Sequence, residues 1–389
     1  MPQPGPSRLR AVTLRVMSVL LGLLAALLAA EIVLRVFDIQ PPMTRRNLEQ
    51  VGGWRYHCYN SNPNGEFQKT PDVGRGQWRL FTSMVHNTQL PLERIRETPW
   101  CVEYRISTWK RPDRQWRLRE DRQYGDLPPP GVLRVAGIGD SFAMGEGVPL
   151  EKSLFKRMES LLGDKYEVVN HAVAGSDTHN EVEILRRAVS SIRYTRAVVV
   201  FFANDIEPSD RLKSRRQQIN DLVVLRNADF SADESKAWYV RNLRIFQFLD
   251  SHLTTRRITR ETIQWYVDLY DPACNAEGLK NLAGDFHSLA AMPSCRSVLV
   301  LYPLMEGLEG PYPLTAAHER VADLARQAHL KVLDLAPVFA GMDTRSLQVH
   351  PADHHPNGKA HDIAARAIVD WLRRDVSDFL QADDAEQRP

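Results

Sequence analysis

The sequence contains few cysteines and carries almost no net charge. Four of its 389 residues are cysteine, and none of them stands in a C-x-x-C pair, which argues against a zinc site. The net charge of +2 argues neither for nor against a nucleic-acid partner. Hydrophobic residues make up 43% of the chain and charged residues 25%, as in an ordinary globular protein of one large domain or two smaller ones.

The four cysteines allow two disulfides if the chain is exported. Pairing by neighbourhood in the sequence predicts Cys58–Cys101 and Cys274–Cys295, which is one of three possible connectivities. Four buried thiols are the alternative, and the cellular compartment decides between the two.

Basic residues crowd the stretch 105–122, where tryptophans at positions 109 and 116 interleave with them. Such interleaving occurs in nucleic-acid-binding proteins. Because Asp113, Glu120 and Asp121 partly offset the charge, we favour a solvated surface strip and no nucleic-acid partner.

The first forty residues determine the expected compartment. Arg8, Arg10 and Arg15 precede an uncharged run over 16–30, and apolar residues continue past Glu31. The run reaches the ~20 residues of a spanning helix if Arg15 snorkels and Glu31 lies near the far headgroups. A cleaved signal peptide is the alternative, but Leu28 spoils the small-x-small cleavage pattern. We therefore expect an uncleaved anchor with its N-terminus in the cytoplasm and the rest of the chain outside the cytoplasmic membrane.

The chain divides into four predicted parts. Residues 1–40 form the anchor with a short cytoplasmic tail, and 41–130 form a loop-rich extension that ends in the stiff Pro-Pro-Pro-Gly linker at 128–131. Residues 131–375 form an α/β domain with a helical insertion at about 210–292, and 376–389 form a polar tail. We find no internal repeat.

Strands and helices alternate from residue 131 onward. The predicted strands are 133–138, 167–170, 197–202, 297–302 and 331–333. The predicted helices are 153–162, 180–192, 316–328 and 359–372. This alternation predicts a parallel sheet covered by helices on both faces.

Polar segments follow four of the predicted strands. They are Gly139-Asp140-Ser141 after the first, 170–175 after the second, 203–205 after the third and 353–358 beyond the fifth. Because ligands bind beyond the carboxyl ends of strands in an open parallel sheet, all four segments should meet at one edge.

Each segment supplies a group that nucleophilic catalysis needs. Ser141 is a candidate nucleophile, His355 can take and return its proton, and Asp353 can hold the other imidazole nitrogen. Three groups can donate to the oxyanion of a tetrahedral intermediate: the backbone N–H of Ser141, the backbone N–H of Gly175 and the amide of Asn204.

Other polar residues of these segments have supporting or ordinary roles. Asp140 is expected to cap or brace the turn, Asp205 to fix the loop that presents Asn204, and Asn170 to support the second loop. His354 and His361 fit solvated or core positions better than catalytic ones. The spacing of residues 350 and 354 matches metal ligands on a helix, but prolines at 351 and 356 argue against a helix there and so against a metal site.

These segments resemble the blocks of the SGNH, or GDSL-type, hydrolase superfamily. Its four signature residues correspond to Ser141, Gly175, Asn204 and His355, in the family's order, and the resemblance covers 132–372. It implies a flavodoxin-like three-layer α/β/α fold, no metal or other cofactor, and ester hydrolysis through an acyl-enzyme. Residues 31–35 also resemble the start of anchored bacterial members, which implies a single pass through the bacterial inner membrane and a periplasmic catalytic domain.

Two positions depart from the family pattern. Ala203 stands where the family usually has glycine, so its methyl group could narrow the pocket or shift Asn204. The family's usual acid lies three residues before the histidine, where this chain has Ala352, and Asp353 is one residue nearer. The shorter Asp-x-His spacing occurs among relatives of the family, including those linked to polysaccharide acetylation.

The sequence thus predicts a membrane-anchored serine esterase that acts on O-acetyl or other short acyl esters of a small molecule, lipid or glycan. One alternative is an O-acyltransferase that moves an acetyl group onto an exported polysaccharide or cell-wall glycan. A second alternative is a non-catalytic glycan-binding protein that keeps the fold.

Overall fold

The computed structural model describes residues 8–39, 41, 56–61, 78–82, 101–110, 115–120, 122, 124–192, 194–227, 230, 234–350 and 353–381. Within these ranges the side chains of 8–9, 56–61, 78–82, 101–110, 115–117, 224–227, 350 and 353 lie outside the description. The chain forms two compact units, one of residues 1–51 with 217–261 and one of 52–216 with 262–389.

The chain begins with a long apolar helix. Helix α1 spans Arg8–Val36, and its stretch Arg10–Val36 has a mean hydropathy of 2.5 in its most apolar window. This helix is long and apolar enough to cross a bilayer, a property that a signal sequence shares.

A four-stranded sheet follows within the predicted loop-rich extension, for which the sequence allows a few short strands. Its strands are β1 (Tyr56–Ser61), β2 (Trp78–Thr82), β3 (Cys101–Lys110) and β4 (Gln115–Leu118), in the order β2-β1-β3-β4. Strands β1 and β3 run parallel, and the two outer pairs are antiparallel.

The central sheet begins after the proline-rich linker. In chain order its first half comprises β5 (Leu133–Gly139), α2 (Ser141–Met144), α3 (Leu154–Leu162), β6 (Tyr166–Asn170), α4 (Thr178–Ser191) and β7 (Arg196–Phe201). Four helices follow: α5 (Asp210–Asn227), α6 (Trp238–Asn242), α7 (Arg244–Leu269) and α8 (Pro272–Ala290).

The second half completes the sheet and carries the last site segment. It comprises β8 (Arg296–Leu301), α9 (Thr315–Gln327), β9 (Lys331–Asp334), α10 (Ala336–Phe339), β10 (Gln348–His350), β11 (Asp353–Pro356) and α11 (Gly358–Asp375). Strands β10 and β11 form a separate antiparallel pair.

The five long strands form one parallel sheet in the order β6-β5-β7-β8-β9. Strands β5 and β7 are buried along their whole length, which explains why they appear in the sequence as short apolar runs. Helices α3 and α11 pack together on one layer, and α4, α8 and α9 pack in succession on the other. The predicted three-layer α/β/α class is confirmed, and the strand order is the flavodoxin-like one.

This order places a topological switch point between β5 and β7. The chain leaves β5 for β6 on one side and returns to β7 on the other, so the loops after β5 and β7 diverge and leave a crevice. The crevice is where ligands bind in sheets of this type, and it lies next to Ser141, the first residue after β5 and Asp140.

The predicted Cys274–Cys295 disulfide is wrong, because both thiols are free. Cys274 lies in the first turn of α8 and Cys295 beyond its last turn, so most of a 19-residue helix separates them. That helix is about 28 Å long, whereas a disulfide needs Cα atoms within about 7 Å. Burial raises the pKa of the Cys295 thiol to about 12. The side chains of Cys58 and Cys101 lie outside the description, so their pairing stays a prediction.

Helix α11 contains a buried histidine, His361. His361 is fully buried beside the ring of Tyr302, at 6.2 Å between ring centroids. Neither of its ring nitrogens has a hydrogen-bond partner among the residues described. Burial, together with the charge of Arg119, lowers the pKa of His361 from 6.5 to about 3. The folded chain therefore keeps this imidazole neutral.

We expect His361 to make the fold sensitive to acid. As pH falls through 6.5, the unfolded chain binds a proton that the folded chain does not, so stability falls from that pH down to about 3. When the pH is lowered from 7.5 to 5.5, the unfolding free energy of the parent should fall by about 1.4 kcal/mol more than that of His361→Leu. Urea unfolding of the full chain at the two pH values measures this. The exposed His287→Leu should keep the parent's dependence, and an unchanged dependence in His361→Leu would contradict the assignment.

Candidate active site

The turn after β5 positions a serine hydroxyl at the switch point. Gly139 has a φ of 151°, and a Cβ at this position would lie 2.5 Å from the Cβ of Ala143 and 2.7 Å from the carbonyl oxygen of Val200. Only glycine fits there. Asp140 then caps the short helix α2 by accepting the N–H of Phe142 at 2.8 Å. Ser141, which is 9% exposed, opens that helix.

An imidazole lies within hydrogen-bond distance of this hydroxyl. The Oγ of Ser141 and the Nε2 of His355 are 2.9 Å apart, although 214 residues separate the two in the chain. The ring of Phe142 packs beside the imidazole, at 5.2 Å between centroids. A serine with an imidazole at this distance is the arrangement of an activated nucleophile and its base.

The last loop is fixed from both sides of His355. Before it, β11 pairs with β10, and after it Asn357 caps α11 by accepting the N–H groups of Lys359 and Ala360. The amide of Asn357 also donates to the carbonyls of Ser346 and Gln348, at 2.9 and 3.0 Å. These bonds hold the segment that presents the imidazole.

The predicted acid of this loop is described by its backbone alone. Asp353 begins β11, where its register partner is His350. The side chain of Asp353 lies outside the described part of the chain. Its predicted contact with the imidazole of His355 therefore stays a prediction.

The carboxylate of Asp140 connects Ser141 with Asn204. It accepts the Ser141 hydroxyl at 3.3 Å. With the Asn204 amide nitrogen assigned to face the carboxylates, that nitrogen donates to Asp140 at 3.2 Å and to Asp205 at 3.3 Å. The third predicted segment therefore meets the first, as the topology requires.

The second segment is bonded to the same strand end. The N–H of Val173 and the hydroxyl of Ser176 both donate to the carbonyl of Gly139, at 2.9 and 3.2 Å. Gly175 lies between these two residues with a φ of 79°, a left-handed conformation that favours glycine. The loop that carries Gly175 is thus bonded to Gly139, two residues before Ser141.

Asp205 and Asn170 make the local bonds expected of loop supports. Asp205 accepts the N–H of Phe202 at 2.6 Å, which closes the loop that carries Asn204. Asn170 accepts the N–H of Ala172 at 3.0 Å and donates to the carbonyl of Met144 at 3.3 Å. Ala203 is buried, and its carbonyl accepts the Tyr270 hydroxyl at 2.9 Å.

Three buried carboxyl groups lie behind the nucleophile: Asp140, Glu181 and Asp205. Burial is the main cause that raises the pKa of Asp140, and it raises the pKa of Glu181 and Asp205 well above the usual range. Repulsion by the negative charge of Asp140 further raises the pKa of Glu181 and of Asp205. The hydroxyl of Ser176 donates to Glu181 at 3.3 Å and connects this group to the Gly175 loop.

Two buried charged residues were missed by the sequence analysis. The guanidinium of Arg119 donates to the carbonyls of Met144, Gly145 and Val148 in the segment after the nucleophile. Glu120 accepts the N–H of Asn170 at 3.0 Å and pairs with Lys156 at 2.6 Å. For these two residues the expected solvated strip is wrong, because both are buried.

A third residue that the sequence analysis missed contacts the imidazole itself. A carboxylate oxygen of Glu146 lies 3.7 Å from the Nε2 of His355. A negative charge at that distance stabilises a protonated imidazole. His354, in contrast, is about half exposed and lies 3.2 Å from Glu306.

A hollow with both apolar and polar lining adjoins the Gly175 loop. Its volume is about 250 Å³. Its lining consists of Val173, Ala174, Gly175, Ser176, Asn180, Glu183, Ile184 and Arg187. The side chains from α4 place an amide, a carboxylate and a guanidinium in this hollow, so its chemistry suits a ligand group rich in hydroxyls or negative charge.

Comparison with known proteins finds no protein-family model and no curated protein that matches the chain. Solved structures do match, at low identity. A putative lipolytic protein of the G-D-S-L family from Desulfitobacterium hafniense is 14% identical over 61% of this chain and 98% of its own, with a TM-score of 0.33. A putative arylesterase from Agrobacterium tumefaciens is 15% identical over 62% of this chain and 99% of its own, with a TM-score of 0.32.

A third structure is larger than the matched region. A two-domain esterase active on acetylated mannans is 13% identical over 67% of this chain, with a TM-score of 0.37. The match spans about half of that esterase, 52% of its length. At such TM-scores these likenesses define no function for this chain.

We expect Glu146 to shift the pH at which Ser141 reacts. Loss of its charge in Glu146→Gln destabilises the protonated imidazole, so the serine should stay reactive to a lower pH, by roughly half to one pH unit. The rate of Ser141 labelling by a fluorophosphonate across the pH range measures this.

The exposed Glu151→Gln is the matched control, since it removes the same charge outside the site. Coincident pH profiles of Glu146→Gln and the parent would contradict an electrostatic role for Glu146.

Proposed function

We propose that the chain is a serine esterase of the SGNH superfamily, which hydrolyses acyl esters through an acyl-enzyme intermediate. The observation that supports this best is the 2.9 Å separation of the Ser141 Oγ and the His355 Nε2 at the switch point of a parallel sheet. The convergence of the Gly175 and Asn204 loops on the same strand end also supports it.

In the proposed reaction Ser141 Oγ attacks the ester carbonyl while the Nε2 of His355 takes the hydroxyl proton. The carbonyl oxygen becomes an oxyanion, to which the backbone N–H groups of Ser141 and Gly175 donate. The amide of Asn204 is the third donor when one of its two N–H groups turns from the carboxylate of Asp140 or Asp205 to the oxyanion. The carbon–oxygen bond to the alcohol then breaks, and His355 returns the proton to that alcohol. A water molecule, deprotonated by the same imidazole, attacks the acyl-enzyme, releases the acid and restores Ser141.

Two carboxylates have different proposed tasks near the imidazole. Asp353 orients His355 through its other ring nitrogen, as the sequence spacing predicts. Glu146 lies at 3.7 Å on the Nε2 side and stabilises the positive charge that His355 gains when it takes the proton. Asp140 positions Ser141 and Asn204.

The proposed substrates are O-acetyl or other short acyl esters of a polar alcohol. The short acyl group is supported by the Asp353-x-His355 spacing, because relatives with this spacing include proteins linked to polysaccharide acetylation. The polar alcohol is supported by the hollow beside Gly175, where Asn180, Glu183 and Arg187 can bind hydroxyl groups. Arg187 makes no side-chain hydrogen bond or ion pair with another described residue, so its guanidinium is available to a ligand.

We also propose that α1 is a single-pass anchor in the bacterial inner membrane, with the catalytic domain in the periplasm. The helix has 27 residues suited to a bilayer, and three of its four arginines, at positions 8, 10 and 15, lie toward the N-terminal end, whereas Arg35 lies in the last turn. By the positive-inside rule, that end stays in the cytoplasm.

An acyltransferase would use the same acyl-enzyme and differ in the group that attacks it. The same hollow, with the polar side chains of α4 in its lining, could hold a sugar whose hydroxyl attacks in place of water. The partition of a labelled acetyl group between water and a glycan acceptor distinguishes the two. Acetylated glycan as the main product would replace the esterase proposal.

We expect Ser141→Ala to abolish hydrolysis of a short-chain aryl ester. Removal of the nucleophile should lower kcat by roughly 10³-fold or more, while circular dichroism and the unfolding midpoint stay close to those of the parent. Labelling of the parent by a fluorophosphonate at Ser141 is the positive control. Equal activity in the variant, or an unlabelled Ser141 in the parent, would contradict the esterase and favour the non-catalytic glycan-binding alternative.

We expect Arg187→Ala to weaken binding of the alcohol part of the substrate. Loss of a charge-assisted hydrogen bond should raise KM for an acetylated sugar about 10-fold, with kcat and the KM for an aryl acetate unchanged. Steady-state kinetics with both esters measures this. Arg211→Ala, an exposed arginine outside the hollow, is the control. An equal rise in KM for both esters would contradict a role in binding the alcohol.

A further inference from the structure

Glu31, the acidic residue within the apolar helix α1, is bonded to the start of another helix. Its carboxylate accepts the N–H groups of Arg244 and Ile245, at 3.1 and 3.0 Å. These are the first two residues of α7, where N–H groups have no partner inside the helix. Glu31 also pairs with Arg35 at 2.6 Å. The carboxylate therefore ties the start of α7 to the last turns of α1.

Two arginines add further bonds between the same elements. Arg244 donates to the carbonyls of Leu34 and Ile39, at 3.3 and 2.8 Å, and pairs with Asp38 at 2.6 Å. Arg35 donates to the carbonyl of Asn242, the last residue of α6. The ends of α1 and α6 and the start of α7 thus form one polar cluster.

This polar cluster marks the level at which α1 would leave the hydrocarbon. Charged groups are costly in the bilayer core and stable at its boundary. From Arg15 to Glu31 the helix rises about 24 Å, and snorkelling of Arg15 brings the span close to a hydrocarbon thickness of ~30 Å. A bilayer crossed by α1 would therefore have its outer boundary at the start of α7.

An apolar surface is exposed beside the polar cluster. Trp238 of α6 is 70% exposed and Leu249 of α7 is 52% exposed. We call this surface the α6–α7 face; it consists of Trp238, Tyr239, Phe246, Leu249 and Leu253. The rings of Tyr239 and Phe246 contact each other at 5.0 Å between centroids, so residues of both helices form one continuous patch.

The part of this face on α7 has the pattern of an interfacial helix. At 100° per residue, Phe246, Leu249 and Leu253 lie within about 60° of one another. The exposed Arg256 and Arg260 continue the same side of the helix. Apolar and aromatic residues followed by arginines are typical of helices that lie at a membrane surface, where arginines meet anionic headgroups.

We propose that the α6–α7 face contacts the outer leaflet of the bilayer that α1 crosses, with Arg256 and Arg260 at its anionic headgroups. This rests on the proposed anchor. The polar cluster holds the face at the point where α1 leaves the hydrocarbon, and tryptophan and tyrosine prefer that depth. The insertion between β7 and β8 then serves as a second membrane contact.

The experiment uses the full chain in nanodiscs of phosphatidylcholine and phosphatidylglycerol with brominated acyl chains. The tryptophan introduced by Leu249→Trp should lose most of its fluorescence, because the brominated acyl chains quench it. Leu127→Trp is the matched control, since Leu127 is also an exposed leucine, 62% exposed against 52% for Leu249, and lies outside the α6–α7 face. Its added emission should persist. Trp238→Phe should remove part of the quenching that the parent shows.

Unquenched emission of Leu249→Trp in nanodiscs that retain the protein would overturn the proposal, as would equal quenching of both added tryptophans. Crosslinking of two copies through position 249 would also overturn it, since a second copy would then cover the face. Loss of the protein from the nanodiscs would refute the anchor and with it this contact. Activity toward an aryl ester, measured on the same samples, tests the esterase independently.

Discussion

The carboxylate of Asp140 holds the site together. It caps the turn after β5, accepts the hydroxyl of Ser141 and meets the amide of Asn204, so two loops far apart in the chain share one acceptor. The group is fully buried, and its neighbours Glu181 and Asp205 are buried carboxyls as well. Burial of three such groups is costly unless hydrogen bonds satisfy them. The loops at this edge of the sheet provide bonds to Asp140, to Asp205 and to one oxygen of Glu181, whose other oxygen has no hydrogen-bond partner among the described residues.

The sequence predicted the sheet and the convergence of the loops well, for a physical reason. Strands buried on both faces are short apolar runs, and β5 and β7 are of that kind. Once the order of strands and helices is known, the loop ends must meet at one edge. The distance between Ser141 and His355 is a consequence of that topology. Asp353 could be named only from its spacing to His355.

What the sequence could not predict depends on distant backbone groups. Arg119 binds carbonyls more than twenty residues away, and nothing in its local pattern separates it from the other arginines of a basic stretch. The contact of Glu146 with His355 needs the closed loop of residues 145–148. The predicted Cys274–Cys295 disulfide is wrong because the two residues are close in the sequence but lie near opposite ends of a helix.

The bonds of Glu31 also constrain the order in which the chain matures. The N–H groups that its carboxylate accepts belong to residues 213 and 214 positions later. During synthesis α1 emerges first, and the carboxylate must stay hydrated until more than two hundred further residues have been made and brought back to it. Final docking of α1 is therefore a late step of biogenesis, which follows translation of the first three strands of the parallel sheet.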